Sequence, residues 1–385
     1  MSTDDSSFEA PSAVRCCPSC FASETARDFI ENVGTPGRCH FCENDCSHVI
    51  EPGLMNEIFW PLISLFEVPS QFNGHCLSEC EAGETNLPER IAEFPFDVFS
   101  SHLGEQKQCE LLDQIRQIKT FPDHASSGPW RSRLDYHWDY RNLFAWDGFS
   151  THLKSVGKSI IAPEDTGFSE TPQIWILEAI QKYGKIELIE PADKKTFYRA
   201  RLGGDLDDGK HLVPWSKEKT SAPPPHKTTV GRANPKGIVF LYAATNSKTA
   251  VAEIRPEIGS RVTVRPVTVK QPLKLVDLRE EFVITDPIGD QKLHERIAAH
   301  SMINSLRADL SKPVLRAESE VEYLPSQFLT EVIRGGGYDG ILFPSSQSSS
   351  GENIVIFVPA KCEVNDPPEL SEVSKIDYET HSLGL

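Results

Sequence analysis

Near Ile186 the patterning of this chain changes, and the change limits what it can fold into. Before that point the apolar residues recur at helical spacing, as in MNEIFWPLISLFE, QCELLDQIRQI and PQIWILEAIQKY. After it they fall into short runs of Val, Ile, Leu and Phe separated by turn residues, the signature of strands. Strands are expected at 186–190, 196–201, 237–244, 261–268, 273–277, 340–343 and 353–358, and helices at 247–255, 290–310 and 325–335. An α+β chain follows, with a mainly helical region over 51–185 and a sheet-bearing domain over 186–360. The stretch 203–230 is long, polar and proline-bearing, and reads as a loop of the kind that often serves as a lid. The acidic tail over 361–385 is expected to fray.

Residues 1–50 form a third region, set apart by cysteine. Cys17 and Cys20, then Cys39 and Cys42, give C-x2-C-x18-C-x2-C, which places two thiolate pairs on two tight knuckles. Four thiolates in tetrahedral array suit a closed, structural Zn2+ site and leave no coordination position for water. Cys16, His40, Cys46 and His48 lie close by, so the ligand set can differ by one. A redox pair is the competing reading of any single C-x-x-C, but two pairs at ribbon spacing argue against it. Cys76 and Cys80 are too isolated to assign.

Charge and hydropathy exclude several functions. A formal net charge of −17 opposes bulk electrostatic grip on duplex DNA or an anionic membrane. The start MSTDDSSFEA has neither a basic nor an apolar stretch of the secretory kind, and no apolar run reaches membrane-spanning length. A cytoplasmic protein with reduced thiols is the expectation.

Within the strand-rich half a few polar residues interrupt apolar runs. Arg199 stands in the run FYRARL, Arg232 in the turn GRANPKG, and Tyr242 inside the run after it. Glu253 sits on a short helix, and Ser345 lies in the turn between the last two strands, with Ser346 as its alternative and Asn353 just beyond. Any of these alone reads as an ordinary surface charge, core ring or turn serine. Together, two cations, a ring, a carboxylate and a hydroxyl suit an anionic ligand containing ribose. Arginine supplies fork-shaped donors for a pyrophosphate, so Arg199 and Arg232 fit that part. Tyr242 offers a face to a ligand's planar ring, and Ser345 a hydroxyl to a ribose or amide oxygen. Glu253 fits beside an anomeric carbon, where a carboxylate stabilises a ribosyl cation.

These residues also resemble a known family. The opening YR, the turn GR-x-N-P-x-G, LYxA, TAxxE and the closing DGIxxPS…ENxVxF agree in order and spacing with the RES domain, a family of NAD-degrading toxins named for its Arg, Glu and Ser. The resemblance runs from about Thr196 to Val358 and implies a mixed α/β fold similar to ADP-ribosyltransferases. It also implies cleavage of NAD+ at the nicotinamide–ribose bond by hydrolysis or phosphorolysis, with growth arrest as the consequence and an antitoxin or immunity protein as inhibitor. Transfer of ADP-ribose to a macromolecule would use the same residues and stays open.

The helical region is similar to HEPN-type domains that precede RES domains, and Arg131 and His137 loosely fit the R-x4–6-H pattern of HEPN ribonucleases. So short a pattern arises easily by chance, and RNA cleavage is the lesser alternative. Gly335, Gly337 and Gly340 match G-x-G-x-x-G, but the motif follows a helix and leads into a strand, the reverse of a dinucleotide fingerprint. A Rossmann dehydrogenase is thereby excluded.

Overall fold

The computed structural model describes residues 14–67, 87–94, 96–116, 131–132, 150–151, 153–155, 172–314, 319–348 and 351–377. Two compact units emerge: residues 1–143 with 283–298, and residues 144–282 with 299–385. The division differs from the three regions expected at 50 and 185. The cysteine-rich segment shares one unit with the helices after it, and the second unit begins well before Ile186. His137, Cys76 and Cys80 lie outside the described residues.

In the first unit, a 3-10 turn at Pro18–Cys20 leads into α1 (Glu24–Val33). Ser23 caps α1 by accepting from Ala26 N at 3.1 Å, and Asp286 takes Thr25 N at 2.9 Å, so two of the helix's orphan donors are satisfied. The antiparallel ribbon β1 (Thr35–Arg38) and β2 (Asp45–Val49) follows, then α2 (Asn56–Ile63), α3 (Leu87–Ala92) and α4 (Glu105–Ile115). Its core is aromatic: Phe21 packs against Phe59 and Phe99 with ring centroids 5.8 and 5.9 Å away. No helix among the described residues is long and apolar enough to cross a membrane.

The second unit is a mixed sheet with helices against one face. α5 (Pro172–Tyr183) precedes β3 (Lys185–Ile189) and β4 (Thr196–Leu202). The stretch expected to be a structureless loop is instead folded, holding the ribbon β5 (Asp205–Asp207) and β6 (His211–Val213) and the short helix α6 (Lys217–Thr220). Next come β7 (Leu241–Ala244), α7 (Ser247–Glu253), β8 (Arg261–Val269), β9 (Leu273–Asp277) and α8 (Leu293–Ser311), of which the residues from 299 onward belong to this unit. The series closes with α9 (Leu324–Gly335), β10 (Gly340–Pro344), β11 (Glu352–Ile356), β12 (Cys362–Val364) and β13 (Glu369–Glu372). Thus the segment after Ala360 does not simply fray. β12 and β13 both pair antiparallel with β8, which satisfies their backbone groups.

The sheet order is β12-β8-β4-β7-β11-β10-β9-β3, with β13 also on β8. β9 and β10 pair in parallel and the other neighbours antiparallel. Strand alternation divides the apolar residues between two faces. Val276, Ile341, Phe343, Val355 and Phe357 join α5, α8 and α9 in one core, whereas Leu275, Leu342, Ile354 and Ile356 join Phe197 and Val267 in the other. Burial on both faces explains why β10 and β11 read as nearly unbroken apolar runs. At one seam the sheet is weakly closed: β4 and β7 pair at a single position, Tyr198 with Ala244.

Candidate functional site

At that seam lies a cavity of about 730 Å³. Arg199, Arg232, Tyr242, Glu253 and Asn353 all line it, together with Tyr198, Asn234, Arg255 and Tyr323. Residues from β4, β7, α7, β11 and the turn at 231–234 therefore meet in one place. Ser345 borders it through a hydrogen bond to Glu253. The volume falls in the range of roughly 300–1,000 Å³ usual for small-molecule and cofactor sites.

Arg199 bridges the seam. Its Nε donates to Thr220 O at 2.6 Å and its Nη1 to Tyr242 O at 2.7 Å, so the guanidinium stands in for the missing ladder between β4 and β7. The Thr220 carbonyl ends α6, where unpaired helix carbonyls favour a cation. Desolvation pulls the Arg199 guanidinium down to about 10, with nearby Arg201 acting in the same direction.

Arg232 is nearly buried, with 9% of its surface exposed. It donates to Lys312 O just past the end of α8 and, through Nη2, to Ser346 Oγ at 3.0 Å. Its guanidinium also lies over the Tyr323 ring, 5.4 Å from the centroid. Among the described residues neither Arg199 nor Arg232 has a carboxylate partner. Two cations without an anionic partner among the described residues, in a partly desolvated cavity, are an arrangement suited to an anionic ligand.

One carboxylate lines the same cavity. Asn246 caps α7, with Oδ1 accepting from Thr249 N at 2.8 Å, and Glu253 ends the helix. Ser345 Oγ donates to Glu253 Oε1 at 2.6 Å and Asn353 Nδ2 donates to the same oxygen at 2.7 Å. Oε2 makes no hydrogen bond among the described residues. The adjacent serines thus serve different partners, Ser345 the carboxylate and Ser346 the arginine.

Tyr242 has its hydroxyl engaged in the protein. Oη donates to Asn234 Oδ1 at 2.6 Å and accepts from Ala233 N at 3.0 Å. Burial pushes its pKa up, so the group stays a donor at neutral pH. Sequence reasoning did not place Arg255 among the site residues. It lines the cavity, in a left-handed conformation with φ of 46°, and donates to Val314 O at 2.9 Å. A non-glycine residue held at positive φ is a recurrent mark of functional sites, but sequence does not disclose it.

Residues 198–378 match the RES domain. The RES region runs from β4 through β13 and includes every residue named at the cavity. Among solved structures the chain is similar to a chain of the M.tuberculosis MbcT-MbcA toxin-antitoxin complex, at 12% identity and a TM-score of 0.31, covering 52% of this chain and 93% of that one. No curated protein matches.

In the first unit the four cysteines converge. Sγ atoms are 3.8 Å apart for Cys17 and Cys20, 3.5 Å for Cys17 and Cys42, and 3.6 Å for Cys20 and Cys39, and all four lie within 4.8 Å of one another. A ZnS4 tetrahedron with bonds of about 2.3 Å has edges of about 3.8 Å. The thiols therefore fit a zinc-sized ion closely. Among the described residues Cys16, His40, Cys46 and His48 are not part of this group.

Proposed function

We propose that the RES region cleaves NAD+ between nicotinamide and ribose. The observation that carries the reading is one cavity lined both by two arginines without carboxylate partners among the described residues and by one carboxylate fixed by two donors. Arg199 and Arg232 bind the pyrophosphate, and Tyr242 and the neighbouring rings enclose the base. As the glycosidic bond breaks, its electron pair passes to the pyridinium nitrogen and nicotinamide departs neutral, so no general acid is needed. Positive charge moves onto the ribose, where Glu253 stabilises it through Oε2 while Ser345 and Asn353 hold Oε1. Water or phosphate then adds to the anomeric carbon, giving ADP-ribose or its phosphate and releasing a proton.

Around this chemistry we place Zn2+ on Cys17, Cys20, Cys39 and Cys42 as a structural ion of the first unit, where it tethers the turn before α1 to the turn after β1. We place the protein in the cytoplasm, where NAD+ is at hand and thiols stay reduced. Unrestrained NAD+ loss would arrest the host, so an inhibitory protein partner of the antitoxin kind belongs to the proposal.

The test is chromatographic. Purified protein and NAD+ are incubated with and without phosphate, and nicotinamide, ADP-ribose and ADP-ribose phosphate are quantified. Release of nicotinamide supports the reading, and the second product identifies the acceptor. Intact NAD+, or ADP-ribose appearing as added mass on a protein or nucleic acid, refutes it.

A further inference from the structure

The turn that carries Arg232 is held from behind by a helix start. α9 packs Phe328, Leu329, Val332 and Ile333 into the core. Yet Ser326 and Gln327 are polar and only 1% and 2% exposed. Such groups are costly to bury unless they are hydrogen-bonded, so their partners indicate their purpose. Ser326 Oγ donates to Arg232 O at 2.6 Å. Gln327 Nε2 donates to Gly231 O at 2.9 Å and to Asn234 O at 3.1 Å.

Two consecutive residues thus take the backbone carbonyls of three of the four residues in the turn 231–234. Tyr242 takes two further polar groups of the turn, Ala233 N and Asn234 Oδ1. The turn is packed so closely that a Cβ at Gly231 would lie 2.5 Å from Asn234 Oδ1 and 2.7 Å from Tyr242 Oη. Tyr323, immediately before α9, adds the ring under the Arg232 guanidinium.

We propose that Gln327 and Ser326 are positioning residues that fix the backbone of the Arg232 turn, and through it the pyrophosphate-binding guanidinium. The proposal rests on the assignment of Arg232 to the pyrophosphate. Loss of the Gln327 donors leaves two turn carbonyls in a buried site with one partner fewer each, and the turn relaxes toward other bonds. Arginine's reach then no longer matches the cavity, although the helix that carries Gln327 keeps its apolar face.

ADP, which contains the pyrophosphate but no scissile bond, is the probe, and its Kd is measured by calorimetry. Arg232→Ala weakens ADP binding, and Gln327→Met, of similar shape but without donors, raises Kd about tenfold, which corresponds to about 1.4 kcal/mol. Ser326→Ala weakens binding in the same direction, and Ser326→Thr, which keeps the hydroxyl, restores it. In the Arg232→Ala background Gln327→Met has no further effect, because both act on one contact. Should Gln327→Met not fold, the Ser326 pair carries the test. ADP binding unchanged in Gln327→Met and Ser326→Ala, with Arg232→Ala impaired, overturns this inference and spares the proposed function. A tenfold loss persisting in the Arg232→Ala background also overturns it, since the damage is then general. Unimpaired binding in Arg232→Ala overturns both.

Discussion

Gly351 is where the geometry of the carboxylate is most exposed to a single methyl group. It precedes β11, accepts from Ser345 N through its carbonyl at 2.9 Å, and lies against Thr249 on α7. A Cβ at this position would fall 2.6 Å from Thr249 Cγ2 and 2.7 Å from Thr249 Cβ, and would collide with Thr249 Oγ1. Carbon atoms need about 3.5–4.0 Å, so Gly351→Ala must part the helix from the turn by about 1 Å. The two bonds to Glu253 Oε1, now 2.6 and 2.7 Å, connect α7 to this turn through Ser345 and to the start of β11 through Asn353, two residues from Gly351. Lengthened by about 1 Å, neither remains a hydrogen bond. Overpacking of this kind costs about 1–3 kcal/mol of stability. Displacing the carboxylate by about 1 Å lowers kcat about 100-fold. Thr249→Ala removes the hydroxyl and methyl but leaves its Cβ, so the double variant recovers only part of the loss. Thr249→Gly with Gly351→Ala recovers more activity, at about 1 kcal/mol for glycine in a helix. Urea unfolding and NAD+ turnover measure the two effects. Wild-type kcat in Gly351→Ala would refute the coupling of α7 to the hairpin.

Other outcomes follow from the same contacts. Glu253→Gln keeps the shape but removes the charge; at about 4 Å and an effective dielectric constant near 20 this is worth about 4 kcal/mol. NAD+ turnover should fall by up to about 10³-fold with the melting temperature nearly unchanged, since Glu253 has no ion pair among the described residues to lose; turnover within tenfold of wild type contradicts its role. Tyr242→Phe leaves Ala233 N and Asn234 Oδ1 without their partner, costing about 1–3 kcal/mol by urea unfolding. An unaltered midpoint would show that the hydroxyl does not hold the turn. Elemental analysis should find one zinc per chain. Because binding to four thiolates is worth about 10–16 kcal/mol, Cys39→Ser or chelation should unfold the first unit, seen as lost near-ultraviolet dichroism. Retention of that signal in metal-free protein contradicts a structural ion.

Much of the second unit was legible because its strands are short apolar runs bounded by turns, as in GILFP and ENIVI. β13, with the sequence ELSE, was not legible: it is a polar edge strand whose pairing is almost wholly backbone. The ribbon β5–β6 and α6 were hidden for a similar reason, being polar and largely exposed. α5 was readable as a helix, but its membership in the second unit was not, because Ile176, Ala179 and Ile180 meet their core partners only in three dimensions. At the cavity, side-chain chemistry pointed to Arg199, Arg232 and Glu253. What holds the arginines is the carbonyls of Thr220, Tyr242 and Lys312, and a carbonyl has no sequence signature. The purpose of Gln327 was equally hidden, since a buried glutamine inside an apolar helix face reads as an exception until its partners are seen.

The most direct measurement is nicotinamide release from NAD+ by the purified, zinc-loaded protein, compared with Arg232→Ala. A catalytic site predicts many equivalents of nicotinamide per chain from the wild type and almost none from the variant. Equal release from both, or none from either folded protein, would contradict the account.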